Sequence, residues 1–279
     1  MTNQGSFLCL RKGHREMRLA LSHFVYAPTL AERFDLYFND LVPAEIDGEK
    51  VLDYSRPGIL QTYLQSGLEF QMASFPEELA AIEDYFHWYR PKVGDTVFDV
   101  GAHCGVSSYY FAKLVGSSGR VVAFEPDPVN FSLLLLNIER HKLDNVLPLQ
   151  IAIAADRGEA SFSSEGTIGS VLTRNSSRAS VGNVIRVKTV TLEDAFRKWG
   201  PPQFCKIDIE GSEIEVIHSA GDFLKLHQSH CEFAIDTNHL VDGSFTDTRI
   251  ETLFREVGYE SASTSSALKT TWARPLPTP

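Results

Sequence analysis

From residue 95 onward the chain alternates short, almost wholly apolar runs with amphipathic stretches, and most of the apolar runs finish on an acid. The runs predict strands over 95–100, 120–124, 145–151, 203–209 and 231–236. The stretches between and after them predict helices over 106–115, 128–141, 191–199, 213–219 and 246–257. Strands this apolar are buried on both faces, and their alternation with helices predicts a parallel sheet covered on both sides. Asp99, Glu125, Asp208 and Asp236 stand at or near the carboxyl ends of four of these strands, where open α/β sheets bind their ligands.

Outside this rhythm the pattern changes. Pro76-Glu77-Glu78 opens a predicted helix running to Tyr89, with Pro91 as its stop. Residues 1–75 are irregular: Phe24 to Leu41 mixes aromatics with helix formers, and Arg11, Lys12, His14, Arg15 and Arg18 read as a solvated basic helix face. Ser161 to Asn183 is serine- and glycine-rich with no hydrophobic period, which predicts a surface loop or a flap over the ligand. The expected organisation is an N-terminal helical extension or cap (1–75), an α/β domain (76–274) and a disordered, proline-rich tail (275–279).

The chemistry concentrates in Val97-Phe98-Asp99-Val100-Gly101-Ala102-His103-Cys104-Gly105. A strand, a turn with two glycines, a helix and a second strand ending in Glu125 form one half of a nucleoside-binding fold. A dinucleotide turn has the spacing G-x-G-x-x-G and brings backbone N–H groups to a pyrophosphate. Here the spacing is G-x-x-x-G with Asp99 two residues ahead, and a carboxylate there opposes a diphosphate. It suits a ligand bearing an ammonium and a sulfonium, such as S-adenosylmethionine, with Glu125 accepting from the ribose diol. A helix N-cap is the competing structural reading of Asp99.

Composition narrows the function class. The 279 residues carry 26 Lys and Arg against 36 Asp and Glu, a net charge of −10, which disfavours a nucleic-acid partner. Four cysteines without C-x-x-C spacing, three of them in predicted strands or the glycine turn, favour reduced thiols and the cytoplasm. No apolar run is long enough to span a bilayer, and residues 1–10 show no secretory pattern.

Four stretches together resemble the FkbM family of S-adenosylmethionine-dependent methyltransferases: Phe98-Asp99-Val100-Gly101-Ala102-His103-Cys104-Gly105, Ala123-Phe124-Glu125-Pro126, Val190-Thr191-Leu192-Glu193-Asp194 and Lys206-Ile207-Asp208-Ile209-Glu210-Gly211. The resemblance covers about residues 90 to 260. It implies a class I methyltransferase fold, a Rossmann-like, mostly parallel seven-stranded sheet whose last hairpin falls near 259–264 and 267–273. It also implies O-methylation of a hydroxyl on a sugar or secondary metabolite. Asp99, Gly101, Ala102, His103, Gly105, Glu125, Pro126 and Asp208 are then the expected cofactor contacts. Two positions depart from the family pattern: His103 stands where Asn is usual, and the late Glu-x-His appears as Asp236-Thr237-Asn238-His239.

An alcohol nucleophile loses a proton on methylation, so a nearby base helps. His239 is the first candidate, because an imidazole titrates near neutrality, with Asp208 and Glu210 beside it; Glu210 also reads as a cap on the following helix. Asp208, Asp236 and Asn238 form an alternative oxygen-ligand set for Mg2+. The competing functional classes are a NAD-dependent oxidoreductase, a non-catalytic module that binds the cofactor, and a methyltransferase acting on protein or nucleic acid.

Overall fold

The first 75 residues are built mainly from strands, where the composition predicts helices. The computed structural model describes residues 7–21, 24, 27–55, 61–65, 68–73, 79–164, 171–172, 183–227, 230–241, 243–264 and 269–276. Strands β1 (Phe7–Lys12), β2 (Arg15–Ala20), β4 (Ala44–Ile46) and β5 (Glu49–Tyr54) form a sheet in the order β1-β2-β5-β4. Strands β3 (Leu41–Val42), β6 (Gln61–Gln65) and β7 (Leu68–Met72) form a second. Among the described residues of this region the α-helices are α1 (Ala27–Glu32) and α2 (Phe34–Asp40), each two turns or fewer.

The basic cluster therefore lies on a β-hairpin, not on a helix face. Met17 and Leu19 of β2 are buried there, while Lys12 and Arg15 turn outward and pair with Asp35, each at 2.6 Å. Helix α3 (Leu79–Tyr85) ends four residues before Tyr89, and its expected opening at 76–78 lies outside the described residues.

The apolar runs form the main sheet as predicted. Its strands are β8 (Thr96–Val100), β9 (Arg120–Phe124), β10 (Val146–Leu149), β15 (Phe204–Ile207), β16 (Glu232–Asp236), β19 (Tyr259–Ser263) and β20 (Thr270–Pro275). They stand in the order β10-β9-β8-β15-β16-β20-β19, the first five parallel and the last two a hairpin antiparallel to them. Pro275 closes β20, so the strand runs one residue into the expected tail; residues 277–279 lie outside the described residues.

Between β10 and β15 the chain builds a small separate sheet from β11 (Ala152–Ile153), β12 (Gly158–Ser164), β13 (Val171–Leu172) and β14 (Asn183–Val190), ordered β11-β14-β12-β13. The predicted loop thus has strands at both ends and a strand pair within it; 165–170 and 173–182 are outside the described residues. Helices α4 (Val106–Val115), α5 (Pro128–His141), α6 (Leu192–Trp199), α7 (Glu213–Ser219), α8 (Gly221–His227) and α9 (Asp247–Glu256) complete the chain. Residues 221–227 carry no helix prediction.

Two apolar clusters lie against the main sheet. One gathers Val97, Phe111, Val121, Leu134, Phe204 and Ala234, the other Phe98, Val122, Phe124, Ile207, Phe233 and Phe254, so successive strand residues contribute to opposite layers. Short caps fix where the helices start. Asp127 accepts from the N–H groups of Val129 and Asn130 at 2.8 and 3.2 Å to open α5. Thr191 and Asp194 form a capping box at α6. Among the described residues no helix is long and apolar enough to cross a membrane. Cys104, Cys205 and Cys231 are buried free thiols; Cys9 is exposed.

Asn137 of α5 clasps the N-terminal unit to this core. Its amide accepts from Gln71 N–H of β7 at 2.9 Å and donates to the carbonyls of Gln71 and Cys104, each at 2.8 Å. Asn137→Ala strands three backbone groups in a buried setting, and urea denaturation should register a loss of about 2–4 kcal/mol.

Candidate functional site

The strand order reverses at β8: its neighbour on one side is β9, and on the other it is β15, reached much later in the chain. Such a switch point opens a crevice at the carboxyl ends of the strands. Both turns that border it come from strand-end residues named from the sequence.

Gly101 and Gly105 are required by their surroundings. Gly101 has φ +80°, and a Cβ there would lie 1.8 Å from the carbonyl oxygen of Asp208. Gly105 has φ +92°, and a Cβ would press on Leu134 of α5 at 2.6 Å. The first glycine thus lets the turn after β8 touch the turn after β15, and the second lets α5 close behind it. Between them the N–H groups of Gly101 and Ala102 both donate to Phe124 O at 3.0 Å.

His103 has φ +51°. That left-handed region is open to few residues other than glycine, and Asn, Asp and His are the ones enriched there, which explains how His occupies a place where Asn is usual. Burial, then the charge of Lys206, pull the imidazole down to about 4, so it is neutral at physiological pH.

Glu125 is buried at the tip of β9 and accepts two backbone bonds, from His103 N–H and Asp127 N–H, both at 2.8 Å. Pro126, half-buried, links it to Asp127. Acceptor capacity remains on the carboxyl group so held.

Asp99 differs from its sequence-based role. It is wholly buried, one oxygen accepts from Ser107 and Ser108 hydroxyls at 2.8 and 2.6 Å, and the other lies 3.5 Å from the ammonium of Lys206. The hydroxyls belong to the first turn of α4, so Asp99 ties strand to helix and is shielded from the crevice. Lys206 is itself buried; it donates to Gly101 O at 2.8 Å and lies 3.5 Å from Asp208. Sequence reading quoted this lysine without giving it a part. The signal was a lone cation inside the run Phe204-Cys205-Lys206-Ile207.

The second group of side chains gathers past β15 and β16. Asp208, Glu210 and His239 bring one ligand-type atom each to within 4.8 Å of the others. His239 Nε2 is 3.6 Å from Glu210 and 3.9 Å from Asp208, while its Nδ1 is 3.0 Å from Glu213. Glu213, fully buried at the start of α7, also accepts from the N–H groups of Ile209 and Gly211 at 3.0 and 3.2 Å. Sequence reading passed over Glu213 and offered Glu210 as the cap; the acid holding this turn is Glu213.

Burial opposes a charge on His239, but Glu213 and Glu210 outweigh it and hold its pKa well above the ordinary value. That direction favours the protonated ring and runs against the free base expected from its residue type. Burial, then the charge of Asp208, push Asp236 upward; it accepts from Asn238 N–H at 2.8 Å, and Asn238 is exposed. Among the described His, Cys, Asp and Glu side chains, the grouping of metal-ligand type is Asp208, Glu210 and His239.

The methyltransferase FkbM domain matches residues 99–261, more than half of the chain. The chain belongs to the FkbM methyltransferase family. The match begins at Asp99 and ends inside β19, so it takes in both turns of the crevice. No curated protein matches the chain.

Among solved structures, methyltransferase FkbM from Methylobacillus flagellatus KT is 17% identical with a TM-score of 0.48, over 68% of this chain and 45% of that one. This chain therefore spans less than half of that protein's length. Precorrin-6y C5,15-methyltransferase from Geobacter metallireducens GS-15 is 14% identical, with a TM-score of 0.43, over 70% and 84% of the two chains. Aeropyrum pernix fibrillarin, in complex with natively bound S-adenosyl-L-methionine, is 14% identical, with a TM-score of 0.44, over 78% and 84%.

Two outcomes test the electrostatics. Lys206→Met leaves Asp99 buried without its cation and should cost about 3–5 kcal/mol in chemical denaturation. Burial pushes Glu125 from 4.5 up to about 8, against the pull of the two N–H groups. The folded state thus binds the proton more tightly than the unfolded chain. The stability this supplies is complete below pH 4.5 and is lost as pH rises to about 8. Glu125→Gln should flatten that slope in unfolding curves taken across the range.

Proposed function

We propose that this protein transfers the methyl group of S-adenosylmethionine to a hydroxyl of a small molecule, a sugar or secondary metabolite. The observation that carries this reading is the junction of the glycine turn with the Asp208 turn inside a domain of the FkbM family.

The residues suit a ligand with a ribose diol and a positive charge. Glu125 has acceptor capacity left after its two backbone bonds and takes the diol. Gly101, Ala102, His103 and Gly105 form the wall against which the nucleoside lies, and none presents a charge at neutral pH. The positive charge falls to Asp208 and Glu210, which are partly exposed, a role that the fully buried Asp99 and Glu213 are too enclosed to fill. When bound, S-adenosylmethionine supplies an activated methyl group on a sulfonium whose leaving group is neutral.

The protein's share of the work is then orientation and proton removal. Asp208 and Glu210 are the partly accessible carboxylates of the cluster, with side chains 23% and 19% exposed, and they receive the acceptor's hydroxyl. His239 Nε2 stands beside both, 3.9 Å from Asp208 and 3.6 Å from Glu210. A cavity of about 720 Å3 is lined by Ile214, Leu240, Val241, Phe245, Thr248 and Thr252 among others, two of them the chain neighbours of Glu213 and His239, and its mixed apolar and polar wall suits an acceptor.

Calorimetry should show S-adenosylmethionine binding and no comparable affinity for NAD, with Glu125→Ala weakening the former about 10–100-fold. Methyl-labelled cofactor should label members of a panel of sugars and natural-product alcohols, and Asp208→Asn should abolish that labelling. Tight NAD binding without S-adenosylmethionine binding would overturn the proposal; cofactor binding without methylation of any acceptor class would reduce the protein to a binding module.

A further inference from the structure

Resting on the reading above, we propose that Asp208, Glu210 and His239 Nε2 bind one divalent transition-metal ion at the acceptor side of the crevice, with Glu213 orienting the histidine from behind. The spacing is the first argument. The contacts of Nε2 with the two carboxylates, 3.6 and 3.9 Å, are too long for hydrogen bonds. Adjacent ligands around an ion at about 2.1 Å stand roughly 3.0–3.5 Å apart, so small inward movements of both carboxylates, the larger one by Asp208, complete the set.

The orientation of the ring is the second argument. A histidine that binds a metal through one nitrogen is held by a carboxylate or carbonyl at the other; Nδ1 lies 3.0 Å from Glu213, within reach but not aligned as a hydrogen bond, so a slight turn of the ring makes that bond. Glu213 is fully buried, and its other oxygen has no hydrogen-bond partner, so this acid is committed to the interior of the site. By its bonds to Ile209 N–H and Gly211 N–H it also clamps the turn that carries Asp208 and Glu210. One buried side chain thereby positions all three proposed ligands.

The donor set selects the ion. Two carboxylates and an imidazole fit Mn2+, Fe2+ or Zn2+ better than Mg2+, which prefers oxygen ligands alone. A cation bound here lowers the pKa of a hydroxyl that touches it.

The test uses the full chain, freed of metal with a chelator and titrated with Mn2+, following loss of the free-ion electron paramagnetic resonance signal. One equivalent should bind, Zn2+ should displace it, and Mg2+ at the same concentration should not. His239→Ala and Glu210→Gln should each weaken binding at least tenfold, and Glu213→Gln about 10–100-fold. Asp208→Asn, close in shape, repeats the test if one of these variants does not fold. Substoichiometric binding by the unaltered protein, or unchanged affinity in the ligand variants, sinks the site. S-adenosylmethionine affinity in the same samples separates the two ideas. Cofactor binding without an ion removes only the metal, whereas an ion without cofactor binding removes the methyltransferase reading and leaves the metal site standing.

Discussion

A single ammonium buried inside the parallel sheet holds the crevice in shape. Lys206 reaches across from β15 to Asp99 and the Gly101 carbonyl of the β8 side, and forward to Asp208 of its own turn. Removing a lysine from water costs several kcal/mol, and only a set of paired charges and a carbonyl offsets it. Once it is placed, the turn after β8 cannot drift from the turn after β15. The 1.8 Å approach computed for a Cβ at Gly101 is the steric face of the same constraint.

Charge is divided between two layers around that lysine. Asp99 is sealed behind it with Ser107 and Ser108 and serves the sheet. Asp208, Glu210, Glu213 and Asp236 lie ahead of it and surround His239. An acid-rich crevice backed by one buried cation favours a positively charged ligand, and this division puts that preference at the strand tips.

The main sheet was legible because its strands are continuous apolar runs, a signal that survives without any tertiary knowledge. Predicted and observed bounds for 95–100, 120–124 and 231–236 differ by no more than a residue at either end. The inserted sheet was not legible, since β12 reads Gly158-Glu159-Ala160-Ser161-Phe162-Ser163-Ser164 and its pairing with β14 overrides weak local propensity. The N-terminal strands are short and mixed for the same reason. At the site, Gly101, Gly105, Glu125 and Asp208 were marked by position alone. The tasks of Asp99, Lys206, Glu213 and His239 depend on which side chains meet, and spacing along the chain does not carry that information.

The clasp at Asn137 has a mechanical meaning. One amide holds both a strand of the N-terminal unit and the carbonyl of Cys104, inside the glycine turn. Swinging that unit away like a hinged door would tear the two bonds to Gln71 and release the amide that steadies the very loop lining the crevice. A disturbance on one side of this joint is therefore felt on the other through one side chain.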